Sequence, residues 1–275
     1  MASQVSAGFE NIELPHVALP EVDFKDVDLA CSFLGKKYSA PFLISSMTGG
    51  SPDGEKINEM LAQLSQEKNI PMGVGSQRVA IETKSNEFFS LRKKHPRARL
   101  WANIGAVQLN YGVNSDDLQW IVDSLEAEAL ILHANAMQEA IQFEGDRNFS
   151  NLFEKISDLK KKISVPVILK ETGCGIDTLS AKRARDAGVD AIDVAGRGGT
   201  HWGFIEGLRH PERKALGEMF RNLGADLAGM AIEFLRAAAN GYEPLEKFYQ
   251  LQSEALRIAL FCTGSKNLKE LKRNV

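Results

Sequence analysis

The segment HANAMQEAIQFEGD, residues 133–146, sets a histidine, an asparagine, a glutamine and a glutamate directly behind the apolar run Ala129-Leu130-Ile131-Leu132. Side chains alternate along a strand, so His133 and Asn135 point to the same side of it. Gln138 and Glu139 follow, in what reads as the connecting loop. Glu139 offers a hard carboxylate of the kind that holds Mg2+ together with water and substrate phosphates. Gln138 does not titrate, so it would orient a ligand rather than carry a proton. A lone histidine is more often a satisfied structural residue. The pairing of His133 with Asn135 on one face is what turns the reading toward a site.

Similar groups sit at other strand ends. Ser45-Ser46-Met47-Thr48-Gly49-Gly50 has the glycines and hydroxyls that let backbone amides approach a flat ring or a phosphate; a plain tight turn would use the same residues. Gly73-Val74-Gly75-Ser76-Gln77-Arg78 ends in a guanidinium suited to an anionic ligand. Asn103 is an uncharged hydrogen-bonding group, for which a buried amide bonded to backbone is the bland alternative. Lys170 shares a strand face with Ile168, and burying it there is costly unless it meets an anion. Gly196-Arg197-Gly198-Gly199-Thr200-His201-Trp202 again combines glycines with a threonine. Together these point to a phosphorylated cofactor and a phosphorylated substrate. No nucleophile–base pair stands out, which argues against a hydrolase.

The elements that must position these groups are legible. Short apolar runs open at Phe42, Ile70, Leu100, Ala129, Val165, Ala191 and Ala225, advancing by about 26 to 36 residues each, the length of a strand plus its crossover helix. Helical stripes lie between them, such as Ile57, Met60, Leu61 and Leu64, or Leu152, Ile156, Leu159 and Ile163. Strand and helix alternating this often predict an α/β fold, a TIM (β/α) barrel, because polar and glycine-rich segments follow nearly every strand end. Residues 1–40 read as a lead-in with a hairpin turn at Leu34-Gly35-Lys36-Lys37. Residues 41–235 read as a single barrel and 236–275 as C-terminal helices, the last capped by Ser265. Eight strands are expected of such a barrel, and the runs supply seven.

The bulk properties bound the function. The 275 residues are 44% hydrophobic and 25% charged, with a net charge of −3. That gives no electrostatic reason to expect nucleic acid or an anionic membrane. Cys31, Cys174 and Cys262 are scattered without a CxxC pair, which suits a reduced, cytoplasmic protein. A membrane-spanning run and a signal-peptide pattern are both lacking.

Read together, GFENIELPHVALPE, SSMTGG, GVGSQR, ANIG, HANAMQEAIQFEGDRNF, LKETGCG and DVAGRGGTHW resemble the type 2 isopentenyl-diphosphate isomerases, FMN-dependent barrel enzymes. The resemblance covers most of residues 8–235. It implies interconversion of isopentenyl and dimethylallyl diphosphate in isoprenoid biosynthesis, with reduced FMN as acid/base, NADPH as reductant and Mg2+ on the diphosphate. Carried over by motif, Ser46, Met47, Thr48, Gly49, Ser76, Asn103, Lys170, Thr200 and Ala225 contact the flavin, Lys170 offsetting its negative charge. Ser76, Arg78, His133, Asn135 and Gln138 face the substrate, Gln138 and Lys170 serve catalysis, and Glu139 is the metal ligand. A homo-oligomer is expected for the family.

Two departures stand out. The family's basic Arg-Lys…His segment, which clamps the diphosphate, has no counterpart in MASQVSAGFENI. Its seventh β/α unit, which carries a loop for the FMN phosphate, is absent between Asn222 and Leu223. A second expectation is therefore a catalytically impaired barrel that binds flavin weakly or not at all. A third is another FMN-barrel oxidoreductase acting on a hydroxy acid, for which His201 is the available base.

Overall fold

A computed structural model describes residues 14–47, 52–85, 88–196 and 228–274. Seven parallel strands form one sheet: β3 (Phe42–Ile44), β4 (Pro71–Gly73), β5 (Arg99–Gly105), β6 (Leu130–Ala134), β7 (Val167–Glu171), β8 (Ala191–Asp193) and β9 (Ala228–Met230). Their spatial order is β8-β7-β6-β5-β4-β3-β9, so the last strand pairs with the first and the sheet curls. Helices such as Pro52–Lys68, Ser115–Leu125 and Leu152–Lys160 cross between consecutive strands. Among the described residues, β8 and β9 are the two edges of the sheet. The predicted break between Asn222 and Leu223 lies outside the described residues, as do Thr48, Gly49, Thr200, His201, Trp202 and Ala225.

Each central strand is buried on both faces, which is why these segments read as apolar runs rather than as polar–apolar alternation. One face packs on the helices through Leu100, Ala102, Ile104, Leu130, Leu132, Val167 and Leu169. The other face lines the interior with Leu43, Trp101, Ala129, Ile131 and Ile168. A hairpin closes the lower end of that interior. Its strands β1 (Cys31–Phe33) and β2 (Lys36–Tyr38) are joined at Leu34-Gly35, whose φ angles of 48° and 74° are the left-handed pair a two-residue turn requires. Phe33 stacks on Trp101 at 6.0 Å, and Tyr38 is buried against the same cluster.

Two expectations about local structure are corrected. Gln138 and Glu139 lie on a short helix, Ala136–Ile141, not in a loop. Glu139 donates its amide to the Asn135 carbonyl at 2.9 Å, and Ala, Met, Gln and Glu are all strong helix formers. The final helix, Leu268–Asn274, is capped by Asn267, whose Oδ1 accepts from the Glu270 amide at 3.0 Å. Ser265 is instead fully buried and bonded to Thr263.

Candidate active site

The interior face ends in a polar layer at the carboxyl ends of the strands. Strand register sets Gly105 beside His133, His133 beside Lys170, and Lys170 beside Asp193. One residue further down the same face, the layer is Asn103, Ile131, Ile168 and Ala191. The chemistry is therefore stacked directly on an apolar floor.

Asn103 joins two strands. Its Nδ2 donates to the Val74 carbonyl at 3.0 Å, and its Oδ1 lies 3.0 Å from Nδ1 of His133. Loss of water around the imidazole, reinforced by the Lys170 ammonium, pulls the His133 pKa down to about 4. The ring is neutral at physiological pH. The side chain of Lys170 is 12% exposed, and its Nζ sits 3.1 Å from Asp193 Oδ2. The anion demanded by a lysine at this position is thus supplied by the protein. Next along the chain, Glu171 takes the amides of Gly173, Cys174 and Gly175 on one oxygen, at 2.6, 2.5 and 3.0 Å. Burial pushes its carboxyl up more than these donors pull it down.

Asn135 and Glu139 form a second group. Both are buried, and Asn135 Nδ2 donates to Glu139 Oε1 at 2.7 Å and weakly to Gln138 Oε1 at 3.4 Å. The other oxygen of Glu139 accepts from the Asp146 amide at 2.7 Å. That approach needs Gly145: a Cβ there would fall 1.9 Å from the Glu139 carbonyl oxygen. Asp146 accepts from Gln108 at 2.8 Å and from Arg78 at 2.9 Å, while Arg78 also pairs with Glu82 at 2.7 Å. The guanidinium read as an anion-binding group thus already faces two carboxylates. Ser76 is exposed, and Met47 packs against the core.

Three of these strand ends leave a buried polar atom without a partner among the described residues: Oγ of Ser46, Nε2 of Gln77 and Oδ1 of Asn135. Ser46 is accommodated because position 73 is glycine; a Cβ there would lie 2.4 Å from Ser46 Oγ and 2.9 Å from Ile131 Cδ1. Buried polar atoms are nearly always satisfied, so donors and acceptors waiting on one rim fit a polar ligand laid across the strand ends, as a flavin ring would be. The metal test is narrower. Among the described residues no three His, Cys, Asp or Glu side chains converge on a metal position. Glu139 alone fits an ion whose remaining ligands are water and substrate phosphates.

Of the residues singled out in the sequence, the structure sets His133 beside Lys170 in one layer, with Asn103 bonded to His133 from the layer below, and gathers Asn135, Gln138 and Glu139 in one group. Sequence reasoning missed Gln77, Asp146 and Asp193. Asp193 carried a usable signal, since an acid that shares a strand face with Ala191 breaks an otherwise apolar run. Gln77 and Asp146 carried none beyond their place in the quoted motifs.

A curled parallel sheet with helices outside and polar groups gathered at its carboxyl rim is the architecture of a TIM-barrel enzyme. Solved structures of the same fold include a mandelate oxidase, with TM-score 0.66 and 17% identity over 98% of this chain and 88% of that one. Flavocytochrome b2 matches with TM-score 0.68 and 19% identity over 97% of this chain and 75% of that one. No protein-family profile matches the chain. Curated relatives do: the isopentenyl-diphosphate delta-isomerase of Nostoc sp. is 42% identical over 97% of this chain and 88% of its own length. That of Oceanobacillus iheyensis is 40% identical over the same shares, and that of Rickettsia bellii 39% over 98% and 91%. The chain belongs to the type 2 isopentenyl-diphosphate delta-isomerase family. The Nostoc alignment runs over 308 positions against 275 residues here, so at least 33 positions of that alignment have no counterpart in this chain. One β/α unit has about that length.

Proposed function

We propose that the chain interconverts isopentenyl and dimethylallyl diphosphate on a reduced FMN, with Mg2+ on the diphosphate and NADPH as reductant. The observation that carries this reading is the identity of 38–42% to curated isomerases over 97–98% of the chain. The mandelate oxidase of the same fold carries an FMN adduct, which supports a flavin on this rim. When bound, reduced FMN supplies the acid and base that move the double bond. This accounts for a site without an obvious side-chain base.

The residues divide the remaining work. Ser46, Met47, Asn103 and Lys170 line the flavin side, with Ser76, Thr48, Gly49, Thr200 and Ala225 assigned to it by motif. The unpartnered Nε2 of Gln77 adds a donor there. Lys170, held by Asp193, keeps positive charge next to the ring. On the substrate side, Gln138 orients the isoprenoid near the reacting carbons and Asn135 holds the Glu139 carboxylate for Mg2+. Arg78 and His133 complete that side, Arg78 by exchanging a carboxylate for a phosphate. The apolar floor excludes water from the carbons that gain and lose a proton.

No helix among the described residues is long and apolar enough to cross a membrane, and Cys31, Cys174 and Cys262 form no disulfide. Both features fit the cytoplasmic setting we propose, where the chain acts as a single barrel domain and assembles as a homo-oligomer.

The alternative of an impaired barrel is favoured by one observation, the 33 or more positions that the relative has in excess. The test is an isomerase assay with FMN, Mg2+ and NADPH, run beside an FMN titration. Turnover together with saturable flavin binding supports the enzyme; flavin binding without turnover, or neither, supports the impaired barrel. The hydroxy-acid oxidase reading has no observation of its own beyond the shared fold.

A further inference from the structure

Asn103 has a single arrangement that satisfies both of its neighbours. The Val74 carbonyl, 3.0 Å away, can only accept, so the amide nitrogen must face it and the amide oxygen must face His133. An oxygen facing a ring nitrogen at 3.0 Å requires the proton on that nitrogen. Nδ1 of His133 is therefore protonated, and in the neutral ring Nε2 carries a lone pair. Nε2 has no hydrogen-bond partner among the described residues, and the space in front of it is kept by Gly105, where a Cβ would stand 3.2 Å from that nitrogen. Asn103 itself is 4% exposed with both ends of its amide engaged, so its effect on the flavin side runs through His133.

We propose that Asn103 is a positioning residue which holds His133 as the Nδ1–H tautomer, so that the imidazole presents an acceptor at Nε2 to whatever occupies the strand ends. The group that fits there is an N–H or O–H donor, not a fully ionised phosphate oxygen. Lys170 beside the ring opposes a second proton, and Asp193 moderates Lys170; these are the charged groups that face His133 from the neighbouring strands. The assignment of the donor to the flavin rests on the isomerase reading; the tautomer does not.

The experiment is long-range proton–nitrogen NMR of the full chain with labelled histidine, without flavin or substrate, near neutral pH. The His133→Gln spectrum identifies the His133 signals among the five histidines. The expected result is a protonated Nδ1 and an unprotonated Nε2 in the wild type, and a mixture of both tautomers in Asn103→Leu, which removes the acceptor at similar volume. A wild-type Nε2–H tautomer overturns the proposal without recourse to any variant. So does an Asn103→Leu spectrum indistinguishable from wild type. Because neither cofactor nor substrate is present, a failed isomerase assay and a failed tautomer assignment are separate outcomes.

Discussion

Asp193→Asn tests the electrostatic frame of the site directly. At the 3.1 Å separation of Lys170 and Asp193, two unit charges attract by about 5 kcal/mol at an effective dielectric constant near 20. Much of that is offset by desolvation, but removing one partner leaves the other uncompensated, typically a loss of about 3–5 kcal/mol for a buried pair. The lysine side chain is 12% exposed and the aspartate 25%, so water screens part of the loss and about 2–3 kcal/mol is expected. Asparagine keeps the oxygen that accepts from the Ala195 amide at 3.0 Å, so the substitution isolates the charge. Urea unfolding of wild type, Asp193→Asn, Lys170→Met and the double variant at low salt gives the coupling, expected at about 1–3 kcal/mol. With flavin bound, freeing Lys170 from its partner shifts the flavin midpoint potential upward, because the reduced, more negative form gains. A loss under about 0.5 kcal/mol with no coupling refutes the reasoning: the pair would then behave as a surface bridge.

His133 makes stability depend on acid. Its folded pKa, about 4, lies below the ordinary 6.5, so the unfolded chain binds more protons between those values. Stability is fully present above pH 6.5 and falls as the pH drops toward 4, by about 3 kcal/mol in all; the wild-type loss measured by chemical unfolding at pH 7 and pH 4.5 should shrink in His133→Gln. Gly145→Ala drives a Cβ against a backbone oxygen of Glu139, whereas the close contacts of Gly73→Ala are with the ends of the Ser46 and Ile131 side chains, which rotation can relieve, the Ser46 backbone nitrogen lying at an ordinary 3.4 Å. Thermal unfolding should therefore show a loss of about 3 kcal/mol for Gly145→Ala and about 1 kcal/mol for Gly73→Ala; the reverse order would contradict the packing described. Glu139→Gln should weaken Mg2+-dependent turnover and leave flavin affinity nearly intact, and equal activity of both proteins across a Mg2+ titration would remove Glu139 as the metal ligand.

What was legible in the sequence, and what was not, divides along the range of the interactions. Central strands buried on both faces need continuous apolar residues, which is why runs such as Val167-Ile168-Leu169 stand out, and the regular spacing of such runs carried the fold. The short helix at Ala136–Ile141 is not legible in the sequence because fewer than two turns leave no period to detect. Pairings across the barrel were invisible for a different reason. Asn103 and His133 are 30 residues apart and Arg78 and Asp146 are 68 apart, and only the parallel register of the sheet brings such partners together. The sequence could say that Lys170 needs an anion; it took the pairing of β7 with β8 to show that Asp193 is that anion.

This difference bears on what a barrel lacking one β/α unit would retain. The polar layer at Gly105, His133, Lys170 and Asp193 is built by pairing among β5, β6, β7 and β8, and the Asn135–Glu139–Asp146 group hangs from β6. None of these contacts uses a strand between β8 and β9. Barrel phosphate sites, in contrast, commonly use the loops after the seventh and eighth strands. A chain short by a unit on that side would keep this polar layer and the Glu139 group while losing a site for the phosphate end of a flavin cofactor. FMN should then bind little more tightly than riboflavin, and titration of one purified sample with both flavins would show it. A preference for FMN beyond about tenfold, or 1.4 kcal/mol, would mean that other residues rebuild the phosphate site.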